Sequence, residues 1–288
     1  MNRDVLTCIT IRYSLMYRSG RSWRIGREND PEKYRKKLFD PARLASRRFL
    51  FETLTLPSLD LQRFDPCVQR VQVLTSRTLP ELDRSFLERL SANRDWMEVI
   101  DVDDDTQTDP YQQAFEAFIR GNRRPAGRCI SVRLDDDDAL ACDFVDVLTD
   151  IALRYDDDIA ISLARGALLP FDEARREFGS LYQYDWPFGS VGLAVAGHFD
   201  VSGPDAQIPN CILRMGNHLK IAERVPVVVD CRTPAFIRTV FASQDMAGKD
   251  ARKIDPDKEL SLAEAERILP DPRFIKGLGK VSYDDVLT

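Results

Sequence analysis

Histidine is nearly absent from this chain: His198 and His218 are the two in 288 residues. That excludes a multi-histidine zinc site, and any mechanism that needs two histidines besides a histidine-bound metal. Paired cysteines are lacking too. Cys8, Cys67, Cys129, Cys142, Cys211 and Cys231 are scattered singly, with no Cys-x-x-Cys. Several sit in apolar runs, as buried free thiols do, so a reducing, cytosolic setting is expected. No apolar run approaches the ~20 residues of a membrane span, and Met1–Ser14 is too short and too polar for a secretory signal. There is no internal repeat. Nor is there a basic excess: 47 acidic residues stand against 41 basic ones, a net charge of −6. That balance argues against a general nucleic-acid binder.

What remains is 43% hydrophobic and 31% charged, with a mean hydropathy of −0.33, a globular composition. A chain this long buries roughly 75% of its unfolded surface, so it needs no disulfide or structural metal. Short β-branched runs alternate with amphipathic stretches. Residues 5–11, 68–74, 96–102 and 128–134 read as strands. Residues 42–56, ended by Pro57, read as a helix, and so do 78–90, 111–120 and 141–155. In the helix over 78–90, Leu79, Leu82, Phe86 and Leu90 form the inward face, with Pro80 in the first turn. This rhythm predicts an α/β fold with a mostly parallel sheet and helices on both faces. After Asp158 the runs 159–164, 191–196 and 225–229 lack long helices between them, which predicts mixed strands. Ser261 and Glu264 read as a capping box for a short helix over 261–269. Residues 270–288 read as a packed or frayed tail.

Three aspartate clusters stand out: Asp101 with Asp103–Asp105, Asp135–Asp138, and Asp156–Asp158. The first and last read mainly as solvated loops. The middle one directly follows an apolar strand and precedes an apolar helix. Four carboxylates at a sheet edge repel one another, and a hard divalent cation would offset their charge. On extended backbone the side chains alternate, so Asp135 and Asp137 face one way and Asp136 and Asp138 the other.

The segment Val132–Leu140 (VRLDDDDAL) resembles the Asp-x-Asp motif of GT-A glycosyltransferases, and more narrowly a bacterial rhamnosyl transferase family. IRYS at 11–14, RFLFETLTLPSL at 48–59 and GNHLKIAERVP at 216–226 are similar to further family segments in the same order. The resemblance spans roughly residues 5–245. It implies a GT-A-like, Rossmann-like fold in a single domain. Residues 1–140 would be a nucleotide-binding half, 141–245 an acceptor half and 246–288 a C-terminal helix and tail. Against the family pattern, 234–244 carries Phe236 and Phe241 but no second histidine.

The implied chemistry is transfer of a sugar, rhamnose by the family label, from a nucleotide-diphosphate donor to a glycan or lipid-linked acceptor in bacterial polysaccharide synthesis. Mn2+ or Mg2+ on Asp135 and Asp137 would offset charge gathering on the diphosphate. His218 is read equally as a metal or phosphate contact and as a structural histidine. Arg12 lies at the carboxyl end of the first strand, where such folds hold nucleotides, and reads equally as a phosphate or base contact and as the partner of a neighbouring acid. Ser76, Arg77, Arg133, Asp135 and Asp136 complete the expected donor pocket, although Arg133 reads equally as a counter-charge to the aspartates. Asp185 is the first choice for the base that takes the acceptor proton, with Asp200 the alternative. Tyr184 and Trp186 offer faces on which an acceptor sugar can stack.

Residues 18–48 hold eleven Lys or Arg against four acids. They read as a solvated loop or as a docking surface for an anionic acceptor or the inner membrane face. The rival readings are a nucleotidyltransferase or other metal-dependent phosphate enzyme, and a catalytically degenerate binding protein of the same fold.

Overall fold

The computed structural model describes residues 5–17, 30–244 and 251–282. Its centre is a seven-stranded sheet whose β-branched runs form the expected strands. They are β1 (Val5–Tyr13), β2 (Gln69–Ser76), β3 (Met97–Val102), β4 (Ala126–Asp135), β6 (Ile159–Leu163), β10 (Ala194–Asp200) and β11 (Val227–Asp230). Across the sheet the order is β11-β6-β10-β4-β1-β2-β3. Every neighbouring pair is parallel except those made by β10, which runs against both β4 and β6. The predicted mostly parallel sheet is therefore present, with its antiparallel strand in the C-terminal half.

Helices cover both faces. On one, Ile9, Ile11, Val71, Val73, Val132 and Leu134 pack against α4 (Glu81–Ser91) and α6 (Phe144–Ala152). On the other, Leu6, Cys8, Leu74 and Cys129 pack against Ala114, Phe115 and Ile119 of α5 (Pro110–Gly121). Cys8, Cys129 and Cys211 are buried free thiols; Cys67 and Cys231 are exposed.

A second, smaller sheet stands at the carboxyl edge of the first. It contains β5 (Ala139–Leu140), β12 (Phe236–Val240), β7 (Arg165–Asp172) and β8 (Glu177–Phe178), with β9 (Tyr182–Asp185) paired to β7. Its core includes Phe171, Phe178, Ile237 and Phe241. α7 (Leu262–Ile268) and α8 (Pro272–Gly277) close over it through Ala265, Ile268 and Phe274. Ser261 and Glu264 form the expected capping box, and the segment after 270 packs through Phe274.

Two helix expectations need correction. Pro57 does not end a helix. α2 (Pro41–Leu50) runs through a π-helical turn (Phe51–Thr55) into α3 (Leu56–Asp60). Leu56 N–H donates to Phe51 O, five residues back, and this wider turn replaces the ordinary ladder just where the Pro57 ring would meet it. Leu82 is not inward either; it is 66% exposed. α4 begins one residue after Pro80, so its buried face is set by Asp83, Phe86, Leu87 and Leu90. Leu79 is buried ahead of the helix instead.

α1 (Pro31–Leu38) and α2 carry the described part of the basic stretch. Arg18, Arg21, Trp23, Arg24 and Arg27 lie outside the described residues. Four of the others turn inward: Arg35 onto Asp104, Arg43 onto Ser14, Arg47 onto Asp136 and Arg48 onto Asp83.

Candidate functional site

Parallel strands deliver their C-terminal residues to one edge. Here β1 brings Arg12, β2 brings Ser76, and β4 brings Arg133 and Asp135; Arg12 and Asp135 are paired in register. Arg12 Nη2 donates to Asp135 Oδ1 at 2.8 Å, and Arg133 Nη2 lies 3.4 Å from Asp135 Oδ2. Burial works to raise the Asp135 carboxyl. The charges of Arg133 and Arg12 outweigh it and hold the group well below the usual carboxylate range.

The strict alternation expected of Asp135–Asp138 fails because β4 ends at Asp135. Asp138 N–H turns back to Asp135 O. Asp136 and Asp137, adjacent in the turn, therefore meet the same guanidinium. Arg47 Nη1 lies 2.6 Å from Asp136 Oδ1 and 2.9 Å from Asp137 Oδ2. Asp138 belongs to the second sheet: its Oδ1 accepts from Thr239 N–H at 3.0 Å, while Thr239 Oγ1 donates to Asp137 O at 2.9 Å. The acidic turn thus joins the two sheets.

Arginines, then, supply much of the offset that the four carboxylates require. They do not complete it. Burial pushes Asp137 up to about 6; Arg47 pulls it down, and the charges of Asp136 and Asp135 push it up again. Asp138 is raised well above its ordinary value by burial, and next by the charge of Asp137. Asp136 Oδ2 is buried without a hydrogen-bond partner, a costly state for a carboxylate oxygen.

Among the described residues no three His, Cys, Asp or Glu side chains form a ready-made metal cage. Mg2+-type ions in phosphate chemistry do not need one; they use one or two carboxylates and the substrate's own phosphates. The unpartnered Asp136 oxygen, the uncompensated charge around Asp137 and an all-oxygen donor set fit such an ion.

Facing the turn is an aromatic loop. Gly192 N–H donates to Arg133 O and Arg133 N–H to Leu193 O, which fixes the loop beside the acidic strand end. Within it, Phe188 holds φ 59°, a strained value for a bulky residue. Its N–H donates to Ser162 Oγ. A side chain at Gly189 would place its Cβ 2.6 Å from the Trp186 ring. Trp186 packs at an angle on Tyr184, with ring centroids 5.9 Å apart.

His218 is braced against this loop, where the charges of Arg133 and Asp135 both act on it. Its Nδ1 lies 2.6 Å from Phe188 O, and its ring meets Trp186 edge-on at 5.7 Å. Burial lowers its pKa below the ordinary value. Asp185 lies at the end of β9, 42% exposed, 3.2 Å from Arg165 Nε.

Other expected residues lie at the opposite edge or are engaged in local structure. Asp200 pairs with Ala126 at the start of β4, the opposite edge of the sheet from Asp135. It accepts from Ser202, so it is not part of this site. Ser76 is buried; its Oγ accepts from Met16 N–H and donates to Ser14 O, shaping the loop after β1. Arg77 is exposed and paired with Asp103 at 2.7 Å. Around the first acidic cluster, Arg84 also holds Asp101. Near the third, Arg128 donates to the carbonyls of Asp156 and Asp157.

Composition alone did not single out Arg47, Arg238 or Lys253. Arg238, on β12, is buried and lies over Trp186. Lys253 Nζ donates to Tyr184 Oη at 2.8 Å and lies 5.3 Å from the Trp186 ring. Their partners are far away in the chain. The one available signal was that a tetra-aspartate on an apolar strand must be met by cations.

A sequence model of the family described as "Putative rhamnosyl transferase" matches residues 8–253. No curated protein matches the chain. Among solved structures, S. aureus TarS residues 1–349 in complex with UDP-GlcNAc is 11% identical. That match covers 98% of this chain and 70% of TarS, with a TM-score of 0.42. The mannosyltransferase PcManGT from Pyrobaculum calidifontis, in complex with GDP-Man and Mn2+, is also 11% identical. There 98% of this chain and 71% of the other are covered, with a TM-score of 0.42.

Proposed function

The chain belongs to this rhamnosyl transferase family, and we propose that it is a metal-assisted GT-A-type glycosyltransferase. It moves a sugar, rhamnose by the family's description, from a nucleotide-diphosphate donor to a glycan or lipid-linked acceptor. One observation carries the reading: an incompletely compensated acidic turn, Asp135–Asp137, stands at the carboxyl edge of a parallel sheet beside Arg12 and Arg133. That pairing of carboxylates with guanidinium donors suits a phosphate-borne cation together with its phosphates. The acceptor would be met at the inner membrane face or in the cytosol, the reducing setting that the free cysteines suit.

Asp135 and Asp137 would hold the ion. When bound, a divalent ion supplies Lewis-acid stabilisation to the departing diphosphate. Arg12 and Arg133, both held against Asp135 at this edge, would orient that diphosphate through their planar guanidinium groups. Asp185, at the exposed rim of the aromatic loop, takes the proton of the acceptor hydroxyl as the sugar carbon passes through an oxocarbenium-like state. Tyr184 and Trp186 form the wall beside it, with Trp186 offering whatever face Arg238 and Lys253 leave open.

The test is calorimetry of UDP, GDP and dTDP with and without Mn2+, followed by product analysis. Metal-dependent binding that Asp137→Ala abolishes, with nucleoside diphosphate released on turnover, supports sugar transfer. Release of pyrophosphate would instead assign the site to nucleotidyl transfer. Binding without any metal dependence would sink the reading.

A further inference from the structure

Arg47 reaches from α2 into the acidic turn, and a single nitrogen, Nη1, makes both of its contacts, to Asp136 Oδ1 and Asp137 Oδ2. An arginine whose sole task is to brace a carboxylate uses its fork, with two parallel N–H bonds to one partner. Here the Nε of Arg47 is buried with no hydrogen-bond partner, and so is Asp136 Oδ2. Buried polar atoms are nearly always paired. Two unsatisfied atoms of opposite polarity in one ion pair mark a pair suited to a second arrangement. The guanidinium also lies over the Phe241 ring at 5.3 Å. A ring face supports the cation without fixing which way its fork points.

We propose that Arg47 is an exchangeable counter-cation: it occupies the acidic turn in the free protein, and on donor binding it leaves Asp136 and yields Asp137 to the divalent ion while its fork takes up phosphate oxygens of the nucleotide. The inference rests on the function proposed above and adds how the site is regulated. The physical reason is charge. A divalent ion and a guanidinium repel at a few ångströms, so Arg47 Nη1, 2.9 Å from Asp137 Oδ2, opposes an ion on that oxygen. A diphosphate arriving with the ion gives Arg47 a new anionic partner. Metal alone must displace Arg47 without that compensation and binds weakly. Metal and nucleoside diphosphate together bind cooperatively. Arg47 is a binding residue in this scheme and touches no reacting atom.

Removing Arg47 therefore has opposite effects on the two ligands, which a bracing role would not produce. Free Mn2+ counted by electron paramagnetic resonance, without nucleotide, is expected to show about tenfold tighter binding to Arg47→Gln than to wild type, the scale of coupling between adjoining sites. Calorimetry at saturating Mn2+ is expected to show UDP, GDP or dTDP, whichever the wild type takes, bound about tenfold more weakly by the same variant. Loss of both affinities, or no change in either, overturns the exchange. If Arg47→Gln fails to fold, Arg47→Lys carries the test. It keeps the charge but not the fork, so Mn2+ affinity stays near wild type while the diphosphate weakens severalfold; an unchanged diphosphate affinity overturns the proposal. Failure of the functional reading shows itself separately, as wild type that takes up neither Mn2+ nor nucleoside diphosphate, and it overturns the exchange too.

Discussion

The guanidinium carbon of Arg238 lies 4.5 Å from the centroid of the Trp186 ring. Arg238 Nη1 also lies 3.4 Å from Ser190 Oγ, so one arginine ties β12 to both ends of the aromatic loop. A cation on an indole face contributes about 0.5–2 kcal/mol, and Trp186 additionally packs on Tyr184 and His218. Trp186→Ala is therefore expected to destabilise the fold by roughly 1–3 kcal/mol, measured by denaturant titration. Trp186→Phe keeps a ring under Arg238 and should retain more than half of that. Equal losses in the two variants would contradict the assignment of stability to the ring–cation contact.

Asp138 follows the motif in sequence but serves the sheet junction. Its Oδ1 accepts from Thr239 N–H, and burial followed by the charge of Asp137 raises its pKa well above the ordinary value. A carboxyl held toward its neutral form is well mimicked by an amide. Asp138→Asn should melt within a few degrees of wild type and keep metal-dependent nucleotide binding. Asp138→Ala leaves the Thr239 N–H buried and unpaired, at about 1–3 kcal/mol. Equal melting of the two variants would show that the Thr239 bond contributes nothing.

This contrast marks what the sequence made legible. The strands were readable because β-branched runs such as VLTCITI are buried on both faces of a parallel sheet and so stay apolar throughout. The capping box at Ser261 was readable because both of its partners are local. The acidic motif was readable as a charge problem, and its solution was not. Arg47 lies 89 residues from Asp136, and Thr239 lies 101 residues from Asp138. Alternation failed for a local reason, because the strand stops at Asp135, and nothing in four identical residues marks where that happens. Leu82 departs from the expected face because the helix begins at Glu81, three residues after Thr78, and buries the stripe of Asp83, Phe86, Leu87 and Leu90.

His218 gives a prediction in pH. Burial lowers its pKa below the unfolded value of 6.5, so the folded protein holds it neutral where the unfolded chain binds a proton. In that window the unfolded state carries more protons, and stability rises with pH. The contribution is fully present above 6.5 and is lost as pH falls through the interval below it. His218→Gln removes this term while allowing an amide contact to the Phe188 carbonyl. The difference in unfolding free energy between wild type and variant should thus shrink from pH 7.5 to pH 5. A difference that is flat over this range would mean that His218 titrates alike in both states.

Asp185 and Asp200 separate by position. β4 runs ten residues from Ala126 to Asp135, which at about 3.3 Å per residue sets its ends ~30 Å apart. Asp200 pairs at the Ala126 end. A base must come within hydrogen-bond reach of the proton it removes, and Asp200 cannot do so for chemistry at Asp135. Asp185 adjoins Trp186, on whose ring Arg238 lies, and the charge of Arg238 reaches Asp135 and Asp137. The Arg165 partner of Asp185 keeps the carboxylate oriented without burying it. Asp185→Asn should lower kcat by about 10²–10⁴-fold, the usual contribution of a general base, with donor affinity kept. Asp200→Asn should leave both unchanged. Undiminished kcat in Asp185→Asn would move the base elsewhere on the carboxyl edge, where Arg12, Arg133 and Asp137, the groups proposed to hold the donor, lie.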